Sequence, residues 1–214
     1  MPKSTIPFLL ISCFLIVILS SCASNFVKDY KTTALDKTTF DAPYFSNPAI
    51  DYVYKANITV YGHELTGIFI AKKINDTTHR VVFTTEFGNK LLDFEISETD
   101  FKVNSIVEEL NKKILINTLT TDFRLLLRNR YLITEQLENA TDKIYKSEEG
   151  NRYNYLFVSK KDEKLYKIIN ASKRKEKINI SFTSENNIFA ERIVIQHQNI
   201  KLRIEFNYFN SPSN

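Results

Sequence analysis

The chain has no tryptophan, and its 214 residues include only four glycines, two cysteines and one methionine. The glycines, Gly62, Gly67, Gly88 and Gly150, are scattered singly, so no phosphate-cradling loop, dinucleotide fingerprint or GxSxG elbow can be built from them. Histidine is as scarce. His63, His79 and His197 lack any HxH, HxxxH or cysteine-linked spacing of the kind metal sites use, and each falls in or beside an expected turn, where an exposed imidazole is the ordinary outcome. Asp93 and Glu95 share one strand face and read as solvated side chains rather than as an acid/base pair. No catalytic residue, metal ligand or cofactor is expected, and the chain reads as a non-enzyme. Its formal charge of +4 is small for its length, which gives nucleic acid binding no support.

A long hydrophobic run is also missing. The apolar stretch from Ile6 to Leu19 falls short of the roughly 18 to 20 residues a membrane-spanning helix needs, and Pro7 and Ser12 weaken it. Lys3 before it and Ser20-Ser21-Cys22 after it give the layout of a signal peptide. Loss of Cys13 with that segment leaves Cys22 without a partner thiol, so the core alone must hold the mature chain.

Leu19-Ser20-Ser21-Cys22 resembles the lipobox of bacterial lipoprotein precursors, in which small residues precede a cysteine that receives a diacylglyceryl group before cleavage. The resemblance implies removal of residues 1–21 and a membrane anchor through lipid on Cys22. The alternative is ordinary secretory cleavage after Ala23, because Ser21-Cys22-Ala23 also satisfies the small-x-small rule. Ala23 and Ser24, with no Asp at the second position and no acidic run, resemble an outer-membrane address with the domain facing the periplasm.

Residues 22–50 are polar and Thr-rich, carry Pro43 and Pro48, and read as a lipidated tether whose end Tyr44 and Phe45 dock onto the domain. Residues 51–210 have the length of one domain. Strand patterns cover Tyr54 to Tyr61, Leu65 to Lys73, Arg80 to Glu86 and Lys90 to Ser97. The period then lengthens, predicting one amphipathic helix through Ile106, Val107, Leu110, Ile114 and Ile116. A second helix is expected to be capped by Thr120 or Thr121, with Phe123, Leu126 and Leu127 inward. Strand patterns return at Lys143 to Lys146, Arg152 to Ser159, Leu165 to Asn170, Lys177 to Thr183, Phe189 to Gln196 and Lys201 to Phe209. The fold class that follows is mainly β with inserted helices (α+β): a strongly curved antiparallel half-barrel of about ten strands, its concave face lidded by the helices.

The hairpin NITVYGHELTGIFIAKK, the strand pair RVVFTTEFGNKLLDFEI and the helical segment IVEELNKKILINTLTTDFRLLL, in that order, resemble the LolA/LolB group. That group's half-barrel binds the acyl chains of lipoproteins, and its outer-membrane acceptor is itself a lipoprotein. The resemblance implies an acylated lipoprotein or lipid as ligand, a soluble periplasmic carrier as partner, and a protruding loop bearing a membrane-inserting apolar residue, for which Leu65 is the nearest candidate. Runs such as Ile68-Phe69-Ile70 carry apolar side chains toward both sheet faces, from cover by helices and loops or from an apolar cavity for lipid. The provisional cavity residues are Ile68, Ile70, Val82, Phe94 and Phe206. The expected lid, Val107 to Leu127, presents Val107, Leu110, Ile114, Phe123 and Leu126. The rival reading is a non-catalytic interaction module of a cell-envelope complex with a filled core.

Overall fold

The computed structural model describes residues 25–172, 175–186 and 188–209; the expected signal segment and the expected lipidation site, Cys22, lie outside the described residues. The first long hairpin joins β3 (Asp51–Val60) to β4 (His63–Lys73). Its two turn residues, Tyr61 (φ 49°) and Gly62 (φ 89°), both take the left-handed conformation that two-residue hairpin loops require. For Gly62 this carries no steric cost. For β1 to β15 and one helix, α1, the remaining elements follow in chain order. The N-terminal part holds a 3-10 turn (Asn25–Val27), β1 (Lys31–Thr33) and β2 (Thr39–Asp41). After β4 come β5 (His79–Thr84), β6 (Lys90–Ile96), β7 (Phe101–Ile106), a 3-10 turn (Glu108–Leu110) and α1 (Lys113–Leu127). The second half runs through β8 (Arg130–Leu132), β9 (Glu135–Glu138), β10 (Asp142–Glu149), β11 (Arg152–Ser159) and β12 (Leu165–Ser172). It ends with β13 (Lys175–Thr183), β14 (Arg192–His197) and β15 (Leu202–Tyr208).

Thirteen of these strands form one sheet in the order β1-β9-β10-β11-β12-β13-β14-β15-β3-β4-β5-β6-β7, and β2 and β8 make a separate pair. All the pairings are antiparallel. The last strand joins the two meanders, since β15 lies beside β3 with Leu202 opposite Val60 and Tyr208 opposite Tyr54. β1 and β7 are the two ends of this order, so the sheet is open and is not closed into a barrel.

Burial alternates along the strands as a two-faced sheet requires. In β4 it is Gly67, Phe69 and Ala71 that are buried, in β5 Val81 and Phe83, and in β15 Leu202, Ile204 and Phe206. These concave residues form the main core with α1. The opposite, convex face of the second meander carries a smaller core of Leu137, Ile144, Tyr155, Phe157, Ile169 and Ala171. Phe26 and Tyr30 cover it, with ring centroids 5.0 Å from Tyr155 and 6.0 Å from Phe157.

Three expectations are corrected here. The described residues hold fifteen strands, thirteen of them in one sheet, where about ten were expected. The first of the two predicted helices does not form: Phe101–Ile106 is the edge strand β7, and the only α-helix among the described residues is continuous across Lys113–Leu127. Thr120 and Thr121 do not cap a helix start. Their hydroxyls, with that of Thr118, donate to carbonyls four residues back within α1, at 2.7 to 2.9 Å. The tether expected over 22–50 is likewise docked from Phe26 onward. β1 pairs with β9, β2 pairs with β8 and Phe40 is buried, while Tyr44 and Phe45 are buried as their expected docking requires. No helix among the described residues is long and apolar enough to cross a membrane.

Candidate functional site: the covered concave face

The concave wall is aromatic. Phe69 lies 4.5 Å from Phe206 and 6.5 Å from Tyr54 between ring centroids, while Phe94 packs edge-on to Phe101 at 4.9 Å. Two covers lie on this wall. α1 sets Phe123 against Phe69 at 5.3 Å and buries Leu119, Leu126 and Leu127 beside it. The second cover is the segment from Phe40 to Phe45, here called the strap. It crosses the sheet from one half to the other: Phe40 packs on Tyr145 of β10 at 5.4 Å, Tyr44 stacks on Phe182 of β13 at 4.7 Å, and Phe45 meets Tyr52 of β3 at 4.9 Å.

A few polar contacts fasten the strap. The Tyr44 hydroxyl donates to the Leu165 carbonyl at 2.8 Å, Ala42 N–H donates to the Asn129 carbonyl at 2.7 Å, and Asn129 Nδ2 donates to the Tyr44 carbonyl at 3.2 Å. His79 Nε2 lies 2.8 Å from the Phe45 carbonyl and donates to it, because a carbonyl only accepts. Burial holds the His79 imidazole below its ordinary pKa and so favours the neutral form. Phe45 itself is fully buried yet has φ 60°, a left-handed backbone that costs a side-chain-bearing residue on the order of 1–2 kcal/mol.

α1 is fastened more tightly. Asp122, fully buried, accepts from His197 Nε2 at 2.9 and 3.0 Å. Desolvation raises the Asp122 carboxyl above its usual pKa, and the His197 partner opposes that rise. Arg124 donates to the carbonyls of Ser97 and Thr99. Arg128, just beyond the helix, bridges the two sheet halves by pairing with Glu98 after β6 at 3.3 Å and with Glu149 of β10 at 2.6 Å. His79 and His197 were expected in exposed turns, so their burial at 3% and 7% exposure is a correction. Both close strand ends where a cover crosses the sheet.

The structure divides the provisional site residues. Phe94 and Phe206 are buried on the concave wall. Ile68, Ile70 and Val82 do not. They occupy the opposite phase of β4 and β5, half-buried on the convex face, with Ile70 directly across from Val82. Phe69 and Phe83 hold the inward positions instead. Gly67 carried the missed signal, since a glycine within a strand marks close approach of a neighbour. A Cβ there would lie 2.2 Å from the Thr84 carbonyl oxygen, so the odd-numbered phase of β4 is the crowded one.

Of the lid residues, Phe123 and Leu126 are buried, Val107 and Leu110 are half-buried outside α1, and Ile114 is 80% exposed. Ile114 therefore has no part in covering the sheet. Leu65 lies within β4 and packs on the core rather than projecting from a loop. The isolated apolar tip is Phe87, 94% exposed in the turn between β5 and β6 beside Gly88 at φ 86°. Asp93 is buried and ionised, because Arg80 donates to both of its carboxylate oxygens at 2.9 and 2.7 Å and Lys90 adds a contact at 2.9 Å. Those charges hold its pKa well below the usual carboxylate range, which suits an ion pair and not a proton donor. Among the described residues no three His, Cys, Asp or Glu side chains converge to hold a metal.

No family model matches the chain, and no curated protein matches its sequence. Among solved structures, a LolA superfamily protein from Nitrosomonas europaea is similar over 79% of this chain and 88% of its own, with a TM-score of 0.52 and 11% identity. The fold is LolA/LolB-like. A DUF1329 family protein from Desulfovibrio piger aligns over 75% of this chain and 84% of its own, with a TM-score of 0.41 and 11% identity. Within the LolA/LolB-like half-barrel of this chain, the strap and α1 divide the cover of the concave wall between them. A cleft of about 880 Å³ opens at the mouth of that wall beneath the start of the strap, and its lining includes Asp41, Lys73, Asp76, His79, Glu98, Asp100 and Arg130. Ala42, Pro43, Ile96 and Leu127 share that lining, so the cleft is mixed in character.

Proposed function

We propose that this chain is a lipid-anchored periplasmic protein of the outer membrane that binds an acyl group on its concave wall, with the strap as the ligand's internal stand-in. The observation that carries the reading is that Phe40, Tyr44 and Phe45 lie along the aromatic wall from β10 to β3, an apolar track. The cover is held by three aromatic side chains, the short β2–β8 pairing and a handful of hydrogen bonds, and none of these is a strand pairing of the 13-stranded sheet, so it can leave without unfolding that sheet. A lipid on Cys22 would hold the domain close to the bilayer, because Phe26 is docked four residues later and an extended chain spans about 3.3 Å per residue. Phe87 takes the part of membrane-contacting tip that Leu65 cannot play, and an acylated lipoprotein delivered by a soluble carrier fits as cargo.

The test uses a fluorescent fatty acid, for which the absence of tryptophan gives a clean background. Saturable binding that a lipoprotein acyl chain competes away supports the reading, and absence of binding at any accessible concentration removes it. In parallel, Cys22→Ala should abolish incorporation of labelled fatty acid in cells; a processed, membrane-attached Cys22→Ala protein would remove the anchor. The rival is an interaction module with a permanently filled core. The charged lining of the open cleft favours it, and it predicts no acyl binding.

A further inference from the structure

A second, smaller cavity of about 230 Å³ lies beside the end of α1, between that helix and the concave ends of β11 and β12. Three side chains from the strands meet there in an ordered chain. Arg152 Nη1 donates to Asn170 Oδ1 at 2.9 Å, and Asn170 Nδ2 donates to Asn154 Oδ1 at 2.7 Å. A guanidinium has no acceptor, so Arg152 fixes which way both amides face. The relay ends on Asn154 Nδ2, which is buried and meets no acceptor among the described residues, and Asn154 is one of the residues around the cavity. Asn154 is 1% exposed. A buried amide donor at the end of such a relay requires an acceptor.

The charges around it point to what that acceptor is. Three guanidinium groups line the cavity, from Arg124, Arg128 and Arg152. Arg128 is neutralised by Glu98 and Glu149. Arg124 uses two of its five N–H donors on backbone carbonyls, and Arg152 has an amide oxygen as its partner, so neither is paired with a carboxylate among the described residues. Two arginines against the one surplus negative charge of the Arg128 cluster leave the cavity cationic and rich in donors. Planar guanidinium donors combined with a fixed amide N–H match an oxyanion.

From this juxtaposition we infer that the Asn154–Asn170–Arg152 relay is a receptor for a phosphate-type oxyanion, bound between Arg152 and Arg124 with Asn154 Nδ2 as its buried donor. The oxyanion can be that of a lipid headgroup, for whose chain Leu125 is the one apolar lining residue, or free phosphate, which offers the same oxygens. The inference does not require acyl binding, and its test is arranged to be independent of it.

Thermal unfolding of the full-length protein would be followed by circular dichroism with three additions at matched ionic strength: inorganic phosphate, dihexanoyl phosphatidylglycerol below its micelle concentration, and dihexanoyl phosphatidylcholine. A saturable rise in Tm with phosphate identifies a free-anion source. A rise with the phosphatidylglycerol alone identifies a headgroup. In either case Asn154→Leu and Arg152→Gln should weaken half-saturation by about tenfold or more, the factor expected for loss of one charge-assisted hydrogen bond. Arg152 lies on the exposed rim, so Arg152→Gln reports on binding even if Asn154→Leu fails to fold. No shift with any addition, or shifts unchanged in Arg152→Gln, would overturn the inference. Failure of fatty-acid binding would not, because inorganic phosphate carries no chain.

Discussion

Phe45 offers the sharpest test of the strap, because its side chain and its backbone predict different things. The ring is fully buried against Tyr52 and Tyr54, so truncation to alanine should cost about 3–5 kcal/mol, the range for a core Phe→Ala change. For a domain of this size that corresponds to a Tm lower by roughly 6 to 20 °C. In an ordinary strand or loop, glycine would be worse still, by about 0.5–1 kcal/mol. At φ 60° the order should invert, since glycine relieves about 1–2 kcal/mol of left-handed strain that alanine retains. Phe45→Gly should therefore be more stable than Phe45→Ala by roughly 0.5–1 kcal/mol, measured by urea unfolding with matched m-values. Both variants should bind an apolar fluorophore more tightly than the parent, because the truncation opens space on the aromatic wall. A cost below about 1 kcal/mol for Phe45→Ala, or a glycine variant less stable than the alanine one, would show that the strap is not docked in this way.

Three further outcomes follow from single residues. His79 is held neutral by burial, so its folded pKa lies below the ordinary 6.5; its contribution is complete above pH 6.5 and is lost as the pH falls toward the folded value. Unfolding titrations between pH 7 and 5 should therefore show a shallower loss of stability in His79→Gln, and parallel curves would deny His79 that role. Gly67→Ala should cost at least about 1–3 kcal/mol because the clash is with a backbone carbonyl at 2.2 Å, and a neutral result in thermal melts would mean that β4 and β5 separate more readily than described. Phe87→Ser should leave stability within about 0.5 kcal/mol, since the ring is 94% exposed, while lowering vesicle binding of the non-acylated Cys22→Ala form by about tenfold or more; unchanged partitioning would remove Phe87 from the membrane contact.

Ten strands were legible in the sequence because each is long enough to show its own pattern. Of the five that were not, β1, β2, β8 and β9 have three or four residues, and β1 is exposed along its whole length; β7 has six but is exposed from Lys102 to Ser105 and shows no alternation. Such strands exist because a neighbour offers free backbone groups, which no local pattern records. The helix was misplaced for a related reason. The apolar spacing through Ile106 and Leu110 suits a helix, yet Ile106 ends an edge strand paired with β6, and Ile114 faces outward from the first turn of α1. The concave site was half legible. Phe94 and Phe206 alternate cleanly, whereas Ile68 and Ile70 flank Phe69 in a run apolar on both faces, where a slip of one residue exchanges inside for outside. The strap was legible only at its end: docking of Tyr44 and Phe45 was expected, but the Thr, Pro and Asp around Phe40 describe an extended segment equally well whether it is free or laid across a sheet.

Filling of the wall by the protein's own aromatic side chains makes the proposed acyl binding an exchange, and an exchange has a threshold. Removing Phe40, Tyr44 and Phe45 from the wall gives up about 1.5–3 kcal/mol each, or roughly 5–9 kcal/mol together, before counting their hydrogen bonds. A saturated chain recovers about 0.8 kcal/mol per buried methylene, so roughly six to eleven methylenes only break even. Fatty acids of about eight carbons should therefore bind weakly or not at all, with affinity rising about fourfold per added methylene beyond the threshold. Phe45→Ala lowers the cost of displacement by the burial of one side chain, which should move the threshold toward shorter chains by about two to four methylenes. A titration series from eight to eighteen carbons, run on the parent and on Phe45→Ala, reads both slope and offset. A flat dependence on chain length would place any bound lipid away from the wall, and a normal slope with no offset between the two proteins would mean that the ligand enters without displacing the strap.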